Sequence, residues 1–315
     1  MNFWRDKRIL VTGGTGFLGS VLASKLAGQG ASTIITPGSD QYDLRESNDV
    51  ERMFKESRPD LVFHLAAVVG GIGANRSNPG KLFYDNAIMG IQVIEYARRA
   101  SVGKTLVVGT ICSYPKYTSI PFIESDFWNG YPEETNAAYG LAKKMLLVQA
   151  QAYRQQYGMD IINVLPVNLY GPGDNFDLES SHVIPALIRK YVEATDSSAN
   201  EVTLWGTGKA TREFLYVDDA AEAILLAMRK YDSPDPVNLG SGEEVSIRNL
   251  SLMIGNAVGF SGCSLWDKSK PDGQPRRNLD TTKAREEFGF VSSVSLSAGL
   301  DRTIEWYRDN RHAIK

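Results

Sequence analysis

Apolar runs of strand length alternate with helix-period segments through the first half of the chain. The runs fall at 8–12, 32–36, 60–65, 104–109 and 161–166. They are nearly continuous rather than alternating, the pattern of parallel strands covered by helices on both faces. Between them, helical periodicity occupies about 16–28, 46–56, 80–100 and 136–157. Repeated βαβ units of this kind predict an α/β fold on a parallel sheet. After Tyr170 the texture changes. Gly171-Pro172-Gly173-Asp174-Asn175 is loop material, and shorter elements richer in Gly, Pro and Trp follow. A strand at 212–217, a helix at 218–230 and a strand at 237–240 suggest a return to the sheet over 212–241. The expected division is a first domain over 1–170 with that return, and a smaller α/β domain over 171–211 and 242–315.

Composition narrows the class without naming it. The 315 residues suffice for a large core, and 43% apolar with 23% charged residues is ordinary for a globular protein. A net charge of −3 gives no reason to expect nucleic acid or an anionic membrane as partner. No apolar run approaches the ~20 residues of a membrane-spanning helix. The N-terminus runs into its first strand without the apolar core of a signal peptide. Cys112 and Cys263 are too few for a disulfide framework, so a reducing, cytoplasmic setting is expected. His64, His182 and His312 are widely spread, and no metal-site spacing occurs.

The first strand pattern leads directly into Gly13-Gly14-Thr15-Gly16-Phe17-Leu18-Gly19 and then into a helix. Glycines there permit a tight turn and close approach of backbone to a pyrophosphate, and the helix N-terminus offers free N–H groups to it. This placement predicts a dinucleotide-binding, Rossmann-type doubly wound sheet. The segment after the second strand, residues 36–45, carries neither an immediate acid for a ribose 2′-hydroxyl nor an early Arg for a 2′-phosphate. Ser39 can donate to a phosphate and Arg45 can swing in. The reading favours NADP(H), with NAD left open.

Tyr139-Gly140-Leu141-Ala142-Lys143 opens a helical segment, and the i, i+4 spacing puts Tyr139 and Lys143 on one face. An ammonium near a phenol is expected to lower the phenol's pKa and make it a usable acid or base. Thr110, just past the fourth strand pattern, offers a hydroxyl to the same substrate oxygen. Cys112 follows, and alone it is more simply a buried filler. His182 alone is more simply a cap or core histidine.

The spacing Gly13-x-x-Gly16-x-x-Gly19 with the Tyr139/Lys143 pair resembles the extended short-chain dehydrogenase/reductase (SDR) superfamily. Longer stretches sharpen this: Ala66-Ala67-Val68-Val69-Gly70-Gly71-Ile72-Gly73, Cys112-Ser113-Tyr114-Pro115-Lys116, Asn168-Leu169-Tyr170-Gly171-Pro172, Ser181-His182-Val183-Ile184-Pro185-Ala186 and Arg212-Glu213-Phe214-Leu215. With Lys270-Pro271-Asp272-Gly273-Gln274-Pro275-Arg276 they cover essentially the whole chain and resemble the GDP-L-fucose synthases. That family combines 3,5-epimerase and 4-reductase activities on GDP-4-keto-6-deoxy-D-mannose, using NADPH. The resemblance implies Tyr139, Lys143 and Thr110 at the C4 oxygen, with Cys112 as base and His182 as acid in the epimerisation. It implies cofactor contacts from the glycine loop, including Thr15, Phe17 and Leu18, and from Ser39, Asp43 and Leu44. Further contacts fall to Ala66, Val108, Lys143, Pro166, Asn168, Leu169 and His182. Lys190, Trp205, Arg212 and Asp272 take substrate-contact positions, and Arg276 and Arg277 are further candidates for the diphosphate. A homodimer through the helices at 80–100 and 136–157 is implied as well. Two rival readings stand beside this one. The first is a related SDR acting on a dideoxy or heptose GDP-4-keto sugar. The second, against which the intact Tyr139/Lys143 pair argues, is a dinucleotide-binding protein without catalysis.

Overall fold

The computed structural model describes residues 2–312; Met1 and residues 313–315, the outer ends of the two expected domains, lie outside the described residues. The first half runs β1 (Arg8–Thr12), α1 (Phe17–Gly28), β2 (Thr33–Ile35), α2 (Ser47–Ser57), β3 (Leu61–His64), α3 (Ile72–Ser77), α4 (Pro79–Arg99), β4 (Lys104–Val108), α5 (Ala137–Tyr157) and β5 (Ile161–Pro166). It continues with β6 (Asn168–Tyr170), α6 (Val183–Asp196), β7 (Glu201–Trp205), β8 (Thr211–Tyr216), α7 (Val217–Lys230) and β9 (Val237–Leu239). The chain closes with β10 (Glu244–Ser246), α8 (Ile247–Val258), β11 (Cys263–Asp267), β12 (Arg276–Arg277), α9 (Thr282–Phe288) and α10 (Leu296–Asn310).

Six parallel strands form the main sheet in the order β2-β1-β3-β4-β5-β9. Alternate residues of each strand feed opposite faces, which is why the strand runs are apolar throughout. Ile9, Val11, Leu61, Phe63, Leu106 and Val108 join α1 and α7 in one core. Leu10, Val62 and Val107 join α2, α4 and α5 in the other. The strand order reverses between β1 and β3, and in open α/β sheets ligands bind in the crevice at the carboxyl ends of such strands.

A third core, built on Tyr170, Ile188, Tyr191, Leu204, Phe214, Ile254 and Ile304, lies under α6, α8 and α10. Its small sheet has the order β10-β8-β12, with β6 paired to β8, and β11 pairs separately with β7. The expected return over 212–241 therefore needs correction. α7 and β9 go back to the main sheet, whereas β8 stays in the small one. A second departure lies in 242–315, where Leu279, Ala284 and Phe288 pack into the main-sheet core. Phe122 and Asn278 join there through a 2.8 Å backbone hydrogen bond. Among the described residues no helix is long and apolar enough to cross a membrane.

Candidate active site

The glycine loop lies at the reversal point. Gly13 has φ of +72°, and a Cβ on it would lie 2.8 Å from the Ala66 backbone nitrogen. Only glycine lets the loop settle onto the end of β3. Buried His64 adds a clamp that the sequence did not announce: its Nδ1 shares a 2.8 Å hydrogen bond with Thr12 Oγ1. Burial, and next the charge of Lys143, pushes the His64 pKa down to about 3, so the ring is neutral. Gly16 caps α1 with no side-chain acceptor for the first-turn N–H groups, which leaves them open to a phosphate. The loop thus fits a dinucleotide pyrophosphate.

Past β4 the chain turns through a short 3-10 helix, Ile111–Ser113, and delivers two side chains to the same crevice. Thr110 Oγ1 accepts the Cys112 backbone N–H at 3.2 Å. Ser113 Oγ donates to the Gly140 carbonyl at 2.8 Å, and a Cβ on Gly140 would collide with the Cys112 carbonyl. Glycine between Tyr139 and Lys143 therefore lets the first turn of α5 press against the cysteine turn. Lys143, buried, donates to the Val108 carbonyl at 3.1 Å, and burial pushes its pKa down to about 8.

Tyr139 departs from the expectation drawn from spacing. Its pKa is raised, by burial first and by Cys112 second, with the Thr110 hydroxyl partly offsetting the shift. Desolvation of the phenol dominates, and the Lys143 ammonium, held on the Val108 carbonyl, does not offset it, so at neutral pH the phenol keeps its proton. Ala66, Val108 and Pro166 stand at or just past the ends of β3, β4 and β5, and Asn168 and Leu169 lie on β6 beside them. Asn168 is steadied by donating to the Glu213 carbonyl at 3.0 Å.

Arg277, a candidate for the diphosphate, lies beside Cys112. Rather than waiting for a phosphate, its Nη1 donates to Cys112 Sγ at 3.4 Å. Its Nε is held by Gln274 Oε1 at 3.0 Å, and Gln274 Nε2 donates to the Lys116 carbonyl at 3.0 Å. Arg276 forks onto Glu244 instead, with Nε to Oε1 at 3.0 Å. His182 forms the N-cap of α6 and is exposed. Desolvation of the ring by its packed surroundings, and next the Arg277 charge, pushes its pKa down. Cys112, Arg277 and His182 thus belong to one electrostatic neighbourhood.

The smaller lobe presents the substrate-contact candidates. Arg212, buried, donates to the Thr211 carbonyl at 2.7 Å and the Asp272 carbonyl at 3.1 Å. Burial and the like charge of Arg277 push its pKa down to about 10, so it remains a cation at neutral pH. Trp205 is half exposed, with Lys270 Nζ 5.2 Å from its ring centre. Lys190 donates to the Thr203 carbonyl on the same strand, β7, at 2.9 Å. The Asp272 carboxylate accepts from Thr207 N and Thr207 Oγ1, both at 2.7 Å, and so fixes the loop after Trp205. Among the described residues no group of three or more His, Cys, Asp or Glu is placed to hold a metal ion.

A Rossmann sheet with an uncapped glycine loop, a Tyr-x-x-x-Lys helix and a hydroxyl at the end of β4 defines a short-chain dehydrogenase/reductase of the extended class. A family model described as the NAD dependent epimerase/dehydratase family matches residues 9–240, and the chain belongs to that family. It is 41% identical to a probable GDP-L-fucose synthase 1 of Oryza sativa subsp. japonica over 312 residues, 98% of this chain and 95% of that protein. The crystal structure of a GDP-L-fucose synthetase from Naegleria fowleri bound to NADP matches with a TM-score of 0.91 at 30% identity, covering 99% of this chain and 97% of that one. A GDP-6-OMe-4-keto-L-xylo-heptose reductase from C. jejuni matches with a TM-score of 0.90 at 28% identity, covering 96% and 98%.

Proposed function

We propose that this protein converts GDP-4-keto-6-deoxy-D-mannose to GDP-L-fucose, epimerising C3 and C5 and reducing C4 with NADP(H) as cofactor. The observation that carries the reading is the juxtaposition of two kinds of chemistry. Thr110 faces the Tyr139 phenol and accepts from Cys112, whose sulfur in turn takes a hydrogen bond from Arg277. A plain reductase needs only the first pair.

The C4 ketone acidifies the C–H bonds at C3 and C5. In thiolate form, with Arg277 stabilising its charge, Cys112 takes the proton, and the electron pair moves onto the C4 oxygen. Tyr139 and Thr110 donate to that oxygen as it becomes an enolate. His182 returns a proton to the opposite face, which inverts the carbon. NADPH, when bound, supplies the hydride for C4. Tyr139 then gives its proton to the C4 oxygen, and the Lys143 ammonium stabilises the phenolate left behind. Arg212 meets the diphosphate, and Trp205 packs on base or sugar, with Lys190 beside it. Asp272 positions the loop that follows Trp205.

The likeness to a heptose reductase favours a second substrate reading, a GDP-4-keto-heptose. NADPH oxidation with GDP-4-keto-6-deoxy-D-mannose, compared with its heptose and dideoxy analogues, decides between them. The proposal expects the 6-deoxymannose compound to have the highest kcat/KM, and a preferred analogue contradicts it.

Two side chains give separate tests. Losing the Arg277 contact with a charged sulfur costs about 1.5–3 kcal/mol, or roughly 10- to 150-fold. Arg277→Leu should slow deuterium exchange by that factor with the sugar KM little changed, and Arg277→Lys should recover most of it. Exchange at the wild-type rate in Arg277→Leu would remove the role. Lys143 is charged below a pKa of about 8 and neutral above it. The kcat/KM for reduction should therefore be flat below that pH and fall by about tenfold per unit above it. Lys143→Arg should abolish the limb, and a wild-type profile flat through about pH 10 would contradict the assignment.

The assembly and setting follow the same reading. Phe83, Tyr84 and Ile91 on α4 and Val148 and Tyr157 on α5 are exposed apolar side chains on two neighbouring helices. Pairing these faces in a homodimer would cover them. Light scattering should give twice the chain mass, and a monomer at working concentration would refute the pairing. Cys112 and Cys263 are both free, in keeping with a cytoplasmic setting.

A further inference from the structure

The segment after β2 is where a Rossmann site distinguishes its two nicotinamide dinucleotides. A carboxylate there accepts from a free ribose 2′-hydroxyl, and a guanidinium there holds a 2′-phosphate. Here the segment borders the glycine loop, because a Cβ on Gly14 would lie 2.5 Å from Thr36 Cγ2. Asp40 is exposed, and its Oδ1 folds back over Gly38 into the space a side chain on that residue would take.

The nearby cations are already engaged. Arg45 forks onto Asp43, with Nε to Oδ1 at 2.9 Å and Nη2 to Oδ2 at 2.6 Å. Its Nη1 lies 3.8 Å from Oδ1 of the buried Asp85, whose other oxygen pairs with Lys81. Arg52 divides itself between Asp49 Oδ1 and the Gln41 carbonyl, both at 2.8 Å, with its guanidinium 4.5 Å from the Tyr42 ring centre. Arg8 starts β1, at the end away from the loop, and donates Nε to the Ser57 carbonyl at 2.7 Å. Each of these cations faces a carboxylate or carbonyl, and among the described residues none of them pairs with Asp40.

We infer that this chain does not discriminate against NADH: the 2′-phosphate contributes little to binding, and Asp40 is the specificity-determining residue, accepting from the ribose 2′-hydroxyl. A dianionic phosphate beside Asp40 meets a like charge, and drawing Arg45 to it would cost Asp43 both guanidinium contacts and leave it only the Arg45 backbone N–H. The Ser39 hydroxyl can still donate to a phosphate, so NADPH binds as well. The inference rests on the nicotinamide cofactor of the proposed function and is independent of its sugar.

The test is the dissociation constants of NADPH and NADH for the purified protein without sugar, read from quenching of tryptophan fluorescence. The two values should lie within about tenfold of each other. A larger preference for NADPH overturns the inference. Asp40→Asn should weaken NADH several-fold and tighten NADPH, and no change in either removes Asp40 from the role. Arg45→Ala should leave the NADPH value within about threefold. A loss of about tenfold confined to NADPH would show that Arg45 leaves Asp43 for the phosphate, and would overturn the inference. Failure to turn over any GDP-keto sugar would end the proposed function and leave these binding results intact.

Discussion

Cys112→Ser is expected to lower deuterium exchange at C3 and C5 by roughly 10²–10⁴-fold, the range for removing a positioned acid or base. Serine nearly preserves the volume and keeps the backbone N–H that Thr110 accepts. It replaces the sulfur that takes the Arg277 hydrogen bond with an alcohol, a far weaker acid than a thiol. The proposed mechanism assigns reduction to Tyr139, Thr110 and Lys143, so overall turnover should fall through the loss of epimerised intermediate. NADPH affinity should be unchanged, since the glycine loop and Lys143 are untouched. Wild-type exchange in this variant would show that another group is the base.

Tyr139→Phe is expected to cut C4 reduction by roughly 10²–10⁴-fold, measured as NADPH oxidation with substrate. Burial and the neighbouring cysteine hold the phenol pKa up, so near neutrality it keeps the proton that the proposed mechanism passes to the C4 oxygen. Phenylalanine keeps the ring and removes only the proton. Exchange at C3 and C5 should fall less, because Thr110 still donates to the enolate oxygen. Equal losses in both rates would mean that the phenol acts mainly on the enolate. A wild-type reduction rate would displace it from the role altogether.

These two residues also mark what the amino-acid order could reveal. β1, β5 and helices α1, α4 and α5 were legible, because strand-length apolar runs and helical periodicity both follow directly from burial. The glycine loop was legible because its spacing is dictated by local backbone approach. The sheet to which β8 belongs was not, since a buried strand has the same composition in either sheet. The Tyr139 shift was misjudged because i, i+4 spacing reports a shared helix face but says nothing of how far the phenol is desolvated. Arg277 and Cys112 are 165 residues apart, and their contact depends on β12 pairing with β8 in the small sheet. No local pattern encodes that closure. The proline-arginine run around Arg276 and Arg277 was its nearest signal, and charge alone suggested phosphate.

The most direct test is the product formed from GDP-4-keto-6-deoxy-D-mannose and NADPH in D2O, examined by NMR. The account predicts GDP-L-fucose with deuterium at C3 and C5 and protium from the cofactor at C4. A C4-reduced product that retains protium at C3 and C5 would show a plain reductase, and would contradict the pairing of Cys112 with His182.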